Sequence, residues 1–222
     1  MLIFVFRIWT KLTLKNKNMI CKCPRAASLP DIPAFECPET FGQIQKVAVQ
    51  RLINDDGTKN SIAEIKTLAS WSPLLVAEDS TKVIVTPYIQ NPEAPAGGPR
   101  MFGGGNETLG GVEEVVGSEP TPFTGVFRKI PQAAIKALKQ LTCENVGVYL
   151  FDENGAIGAL LKDGKHYPIP VRSFFVQDKT LGGYDAPDSN GIQWNFLPNW
   201  SDDLVMVYPE DLNPLTDLVV AP

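Results

Sequence analysis

Residues 146–161 read VGVYLFDENGAIGALL, two apolar runs rich in β-branched and aromatic residues on either side of Asp152-Glu153-Asn154-Gly155. Asn-Gly between such runs is the strongest short-range signal for a β-hairpin, because both residues accept the positive φ of a turn that matches strand twist. Similar short extended runs recur along most of the chain. Lys46–Leu52 alternates polar and apolar residues as a half-buried strand does, and Lys82–Ile89 is β-branched. Val112–Val116, Phe123–Ile130, His166–Val176, Ile192–Leu197 and Leu204–Tyr208 extend the series. Two helices are expected. Ser61 and Glu64 have capping-box spacing ahead of Ile62, Ile65, Leu68 and Ala69, with Pro73 closing the helix. Pro131 at N1 opens a second over 131–141, with apolar Ala134, Ile135, Leu138 and Leu141 on one face. Strands do not alternate regularly with helices, so the expected class is mainly β: an antiparallel β-sandwich or barrel with one or two short helices and a long Gly/Pro-rich loop.

That loop spans 90–111. It holds Pro92, Pro95 and Pro99 and glycines at 97, 98, 103, 104, 105, 110 and 111, but neither a phosphate-loop nor a dinucleotide-binding glycine pattern. Long irregular segments inside a compact domain are uncommon and usually functional. Met101, Phe102 and Leu109 supply apolar anchors, which points to a loop that orders against a neighbouring subunit; the plainer alternative is a surface loop without a partner. The domain is expected over 41–208, after an N-terminal arm (1–40) with four prolines at 24, 30, 33 and 38. The tail, 209–222, carries Leu212, Leu215, Leu218, Val219 and Val220, to dock on a neighbour or on its own domain. Leu215 and Leu218 therefore join Met101, Phe102 and Leu109 as candidate subunit-interface residues.

Charge is unevenly spread. The chain holds 20 Lys+Arg and 25 Asp+Glu, a net −5, yet residues 1–25 carry six basic groups and no acid. The rest is strongly acidic, which argues against a surface that grips nucleic acid. The apolar run 2–6 is broken by Arg7, and its positive charges follow it rather than precede it, unlike a signal peptide. Met19 is a second candidate start, which would make 1–18 an upstream artefact. No apolar run reaches the ~18–20 residues that span a bilayer.

Chemistry is sparsely signalled. Cys21, Cys23, Cys37 and Cys143 lack the paired C-x-x-C of a zinc ribbon, and the single histidine, His166, reads as a surface strand residue. Asp178, Asp185, Asp188 and Asn190 lie among turn glycines without calcium-loop spacing. Glu113-Glu114 and Asp202-Asp203 are adjacent, so on a strand they point to opposite faces and cannot act as an acid/base pair. No catalytic, cofactor-binding or metal-ligating set is expected. Trp194 and Trp200, near Phe196, Asn195 and Asn199, form an aromatic, amide-bearing cluster that suits either a carbohydrate- or surface-binding module or ordinary core packing.

The long loop at 90–111, the helix at 131–141, the hairpin VGVYLFDENGAIGALL and the run VRSFFVQDKTLGGYDAPDSNGIQWNFLPNWSDDLVMVYP (171–209) come in an order that resembles the tail-tube and related virion structural proteins of tailed bacteriophages. The resemblance is architectural and covers about 41–222. The Pro-rich, Cys-bearing N-terminus and the helix at 61–70 depart from it. It implies a non-enzymatic protein, made in the host bacterial cytoplasm and located in the virion. Such a protein self-assembles into homo-oligomeric rings or a tail tube and contacts other virion proteins, without sequence-specific nucleic-acid binding, cofactor or membrane span. An acidic wall would repel DNA phosphates passing through such a tube.

Overall fold

The computed structural model describes residues 28–34 and 40–218. Two compact units divide them: a body comprising 34, 40–99 and 118–218, and a second unit comprising 28–33 and 100–117. The chain is mainly β with two short helices, as its pattern of short runs implies.

The body's strands are β1 (Ile44–Arg51), β2 (Val83–Val85), β3 (Gln90–Glu93), β6 (Thr121–Arg128), β7 (Val146–Asp152), β8 (Ile157–Lys162), β9 (Lys165–Tyr167), β10 (Ile169–Thr180), β11 (Ser189–Phe196) and β12 (Leu204–Val207). β4 (Pro99–Gly103) and β5 (Glu113–Ser118) form a separate two-stranded sheet. The pairings among the body's strands are antiparallel, and the body sheet does not close into a barrel. β10 joins two halves: its start pairs with β7 among β1, β2, β8, β9 and β12, while its remainder pairs with β11, next to β6 and β3. The halves meet across a core that includes Val47, Val49, Val148, Leu150, Phe123, Phe127, Phe174 and Trp194.

The two halves differ in how they are covered. Along β6, Thr121, Phe123, Gly125 and Phe127 are buried and the residues between them are not, the alternation of a sheet with one wet face. β7 is buried at every position. Its Val146, Val148 and Leu150 enter the shared core, while Tyr149 and Phe151 enter a second core on the opposite face with Ala48, Ile157, Ala159, Ile62, Ile65, Trp71, Leu75 and Leu218. Helix α1 (Leu68–Val76) lies in this second core, with the Trp71 ring edge-on to Tyr149 at 5.2 Å and to Phe151 at 5.8 Å. The Trp71 Nε1–H donates to the Ile65 carbonyl at 2.9 Å, so the indole is buried without an unmet donor.

β1 is consequently not half-buried, as its alternation suggests. Lys46 and Gln50, on its polar face, are covered and their polar atoms are met within the fold. Gln50 donates to the Thr81 carbonyl at 2.8 Å and accepts from the Tyr149 hydroxyl at 3.2 Å. Burial pushes the Tyr149 phenol pKa up, which keeps it a donor. The Lys46 amine donates to the Leu215 carbonyl at 2.6 Å and lies 4.3 Å from the Tyr88 ring centre; desolvation lowers its pKa.

Several elements differ from expectation. Ser61 and Glu64 cap nothing: Ile62 instead exchanges two backbone hydrogen bonds with His166, at 2.8 and 3.0 Å. The helix starts later, at Leu68, and contains Pro73 rather than stopping before it. Its first amide is met from the tail, Leu68 N–H donating to Asp211 Oδ1 at 2.8 Å. Pro131 is the N-cap, not N1, of α2 (Gln132–Gln140). Three strands, β3, β4 and β9, fall where no separate strand is expected. β3 contains Pro92 and is an edge strand, where a missing amide donor is tolerated. β9 exists because Asp163 and Gly164 take positive φ, 50° and 72°, and fold the chain back in a two-residue turn. The domain also runs beyond 208, since Leu212, Leu215 and Leu218 pack on the second core.

Trp71→Ala should cost about 3–5 kcal/mol, the range for truncating a buried Trp. Chemical denaturation followed by circular dichroism measures it. A loss below about 1 kcal/mol would show that the outer core contributes little to the body.

Candidate functional site

Five residues stand out from the sequence as interface candidates, and the structure separates them. Leu218 is 1% exposed within the second core, and Leu215 packs against that core with its carbonyl held by Lys46. They belong to the body's own packing and are corrected accordingly: the described tail docks on its own domain. Asn213 makes this geometry local, accepting the Leu215 amide at 3.0 Å on its side chain while its own amide donates to Asp217 at 2.7 Å. The Asn213 amide, and after it the Thr216 hydroxyl donating at 2.7 Å, lower the Asp217 pKa. Met101, Phe102 and Leu109 are exposed, as are Val112, Val115 and Val116.

All six lie on the β4–β5 hairpin and its tip. The glycine-rich segment is thus not an irregular loop. β3 and β4 take up much of it, and the tip has a built geometry centred on Thr108. The Thr108 hydroxyl accepts from the Gly104 amide at 3.0 Å and donates to the Val112 carbonyl at 2.6 Å, so it ties both sides of the tip. Gly104 also accepts from the Glu107 amide and Thr108 from the Gly111 amide, each at 3.0 Å. Gly103 has φ 90°, and a Cβ there would meet Thr108 Cγ2 at 2.0 Å. Only glycine fits between that backbone and the threonine methyl. The tip carries Leu109 fully exposed.

Strand geometry gives this hairpin its chemical character. Adjacent side chains on a strand point to opposite faces. Met101 and Phe102 therefore face opposite ways, as do Val115 and Val116, so each face of the ribbon carries apolar groups from both strands. Neither strand contains a buried residue. An isolated two-stranded hairpin is marginal in water. Apolar groups exposed on both faces make this ribbon the candidate association surface of the described residues.

The aromatic cluster goes the other way. Trp194 is 1% exposed, stacked on Phe123 at 3.9 Å and parallel to Phe174 at 5.8 Å. It cannot face a sugar, so the carbohydrate-binding expectation is corrected at this residue: β11 alternation turns Trp194 and Phe196 into the shared core. Trp200 is half-buried, stacked on Phe196 at 4.4 Å, with its Nε1–H donating to Thr121 Oγ1 at 3.2 Å. His166 is half-buried on β9 rather than a surface residue, and its Nδ1 has no hydrogen-bond partner among the described residues. Among those residues there is no group of three His, Cys, Asp or Glu side chains placed to hold a metal, and no helix long and apolar enough to cross a membrane. Cys143 is a free, exposed thiol; Cys21, Cys23 and Cys37 lie outside the described residues. Three residues escaped the sequence reading. Thr108 organises the tip, and the Asp163-Gly164 pair, whose turn chemistry was legible, makes β9.

The chain matches no protein-family model, no curated protein and no solved structure.

Thr108→Val should loosen the tip and spare the body. Amide exchange over 103–112 is expected to rise about tenfold, the equivalent of one net hydrogen bond. The body's unfolding midpoint should not move. Hydrogen-exchange mass spectrometry reads the first and denaturation the second, and an unchanged tip would remove Thr108 as its organiser.

Proposed function

We propose that this protein is a non-enzymatic structural subunit that assembles with copies of itself into rings or a tube, as a virion component of the tail-tube kind. The observation that carries the reading is the β4–β5 hairpin, with apolar side chains on both faces and a tip whose fully exposed Leu109 is set on ordered glycine and threonine geometry. One neighbour can cover one face of such a ribbon. Repeating heterologous contacts between identical subunits cover both, and they close into rings when the rotation allows. The body supports the role. It is a β-sandwich with both faces of its central strand buried, which suits a rigid wall, and the acidity of the chain beyond residue 25 suits a lumen that does not hold phosphate.

A carbohydrate-binding role has less support, since Trp194 is committed to the core and the indole nitrogen of Trp200 to Thr121.

Negative-stain electron microscopy and light scattering of the purified full chain test the proposal. Rings or tubes are expected at high concentration, and a strict monomer across a range of salt would end the reading. The double variant Val115→Asp/Val116→Asp places a charge on each hairpin face and touches no core residue. It should remain folded and lose assembly by at least about tenfold in concentration, because a charge buried without a partner is costly. Assembly at the wild-type concentration would exclude the hairpin as the contact.

A further inference from the structure

A second surface on the body invites a partner. β2 is hydrogen-bonded to β1 on one side, and no strand pairs with its other edge among the described residues. Unpaired strand edges are sites where further chain adds. Beside this edge runs an apolar groove of about 520 Å³, bounded by Val83 and Val85 of β2, Ala137 and Leu141 on the α2 side, and Leu75 and Leu218 on the other. Its lining includes two lysines, Lys46 and Lys82, and no carboxylate, on a chain whose net charge is −5. The Lys46 amine is engaged by the Leu215 carbonyl. Lys82 is exposed and forms no ion pair among the described residues. The groove therefore suits an extended apolar segment carrying one acid.

Residues 28–34, Ser-Leu-Pro-Asp-Ile-Pro-Ala, have that chemistry. All seven are exposed and none belongs to a helix or strand. Pro30 and Pro33 fix their own φ and push Leu29 and Ile32, which precede them, toward polyproline II backbone. With three residues per turn, that conformation sets Leu29 and Ile32 on one side, about 9 Å apart along the axis. Both are almost wholly uncovered, at 90% and 91%. Asp31, between them, is the segment's one charged side chain and projects to another side of the three-fold helix. A stiff segment of this kind gives up little backbone freedom on docking.

We propose that the groove beside β2 is the docking site for residues 28–34 of a second copy, with Leu29 and Ile32 in the groove and Asp31 against Lys82. The proposal rests on the self-assembly reading for the identity of the donor, since the neighbour that covers the hairpin also brings its own arm.

Photocrosslinking of the full chain tests it. Unlabelled protein carrying p-benzoylphenylalanine at position 32 is mixed with ¹⁵N-labelled wild-type protein, irradiated, and digested for mass spectrometry. The expected product joins an unlabelled arm peptide to a labelled peptide containing 82–87 or 132–141. Links confined to unlabelled peptides would mean that a chain receives its own arm, and labelled links elsewhere would mean another acceptor; either overturns the proposal. Ala137→Glu, at an exposed position on α2, puts a carboxylate in the groove and should lower the yield about tenfold or more. Lys82→Glu in the labelled protein should lower it as well, with recovery when the arm carries Asp31→Lys. An undiminished yield in Ala137→Glu, or no recovery in the charge swap, overturns the placement. Rings that persist without a groove link leave the hairpin reading standing and remove this one; a chain that never associates removes both.

Discussion

β7 is the strand around which the body is organised, because it has no wet face. Its even-numbered core residues, Val146, Val148 and Leu150, pack toward the β6–β11 half, and Tyr149 and Phe151 pack toward α1. Burying both faces removes every backbone polar group of the strand from water, so its edges must be paired along their length. β1 pairs with one edge from Val146 to Asp152, while β8 and the start of β10 divide the other. Asp152, 1% exposed, closes the strand: its carboxylate accepts the amides of Asn154 and Ala156 at the hairpin turn and that of Gly42 ahead of β1. Hairpin, entering chain and central pairing are thereby joined at one side chain.

The covering of the outer face follows from that strand. A small amphipathic helix cannot by itself hide Tyr149 and Phe151, and the structure adds the 62–67 segment and the chain after β12. Long-range polar contacts hold those pieces in place. Ile62 bonds to His166, Lys66 pairs with Glu210 at 3.1 Å, Asp211 meets the first amide of α1, and Lys46 reaches the Leu215 carbonyl. Exposed pairs such as Lys66–Glu210 contribute little alone. The buried indole and aliphatic groups supply most of the stabilisation, and the polar contacts choose the arrangement. Leu215 and Leu218, which look like a sticky tail when read in order, are part of this cover.

Once the tail and Trp194 are committed inward, apolar groups that remain outside are conspicuous on the β4–β5 hairpin and on residues 28–34. The hairpin and the arm therefore carry the apolar groups on which the proposed association draws. That division of labour, a wall with both sides of its central strand filled and extended elements with uncovered apolar groups, is the physical basis of the proposed assembly. The groove beside β2 is its proposed complement, at a strand edge that has no second strand partner among the described residues.

The mainly β antiparallel class, the hairpin at 146–161 and the helix over 132–140 are determined by the sequence itself, because each rests on local rules: alternation, Asn-Gly turn chemistry and the 3.6-residue period. Met101, Phe102 and Leu109 as exposed apolar groups were legible for the same reason, since nothing in their Gly/Pro-rich surroundings could fold over them locally. Other features were decided only by tertiary structure. Ser61 and Glu64 have the pattern of a helix cap, yet pairing with His166, more than 100 positions away, outweighs it. The depth of Lys46, Gln50 and Trp194 depends on which layer lies above them, and in β1 an alternating sequence of the one-face kind is covered on both faces because its polar side chains find partners in that layer. The end of the domain moved for the same reason. Leu218 is an apolar residue in a tail until β1, β7 and α1 create the surface that buries it.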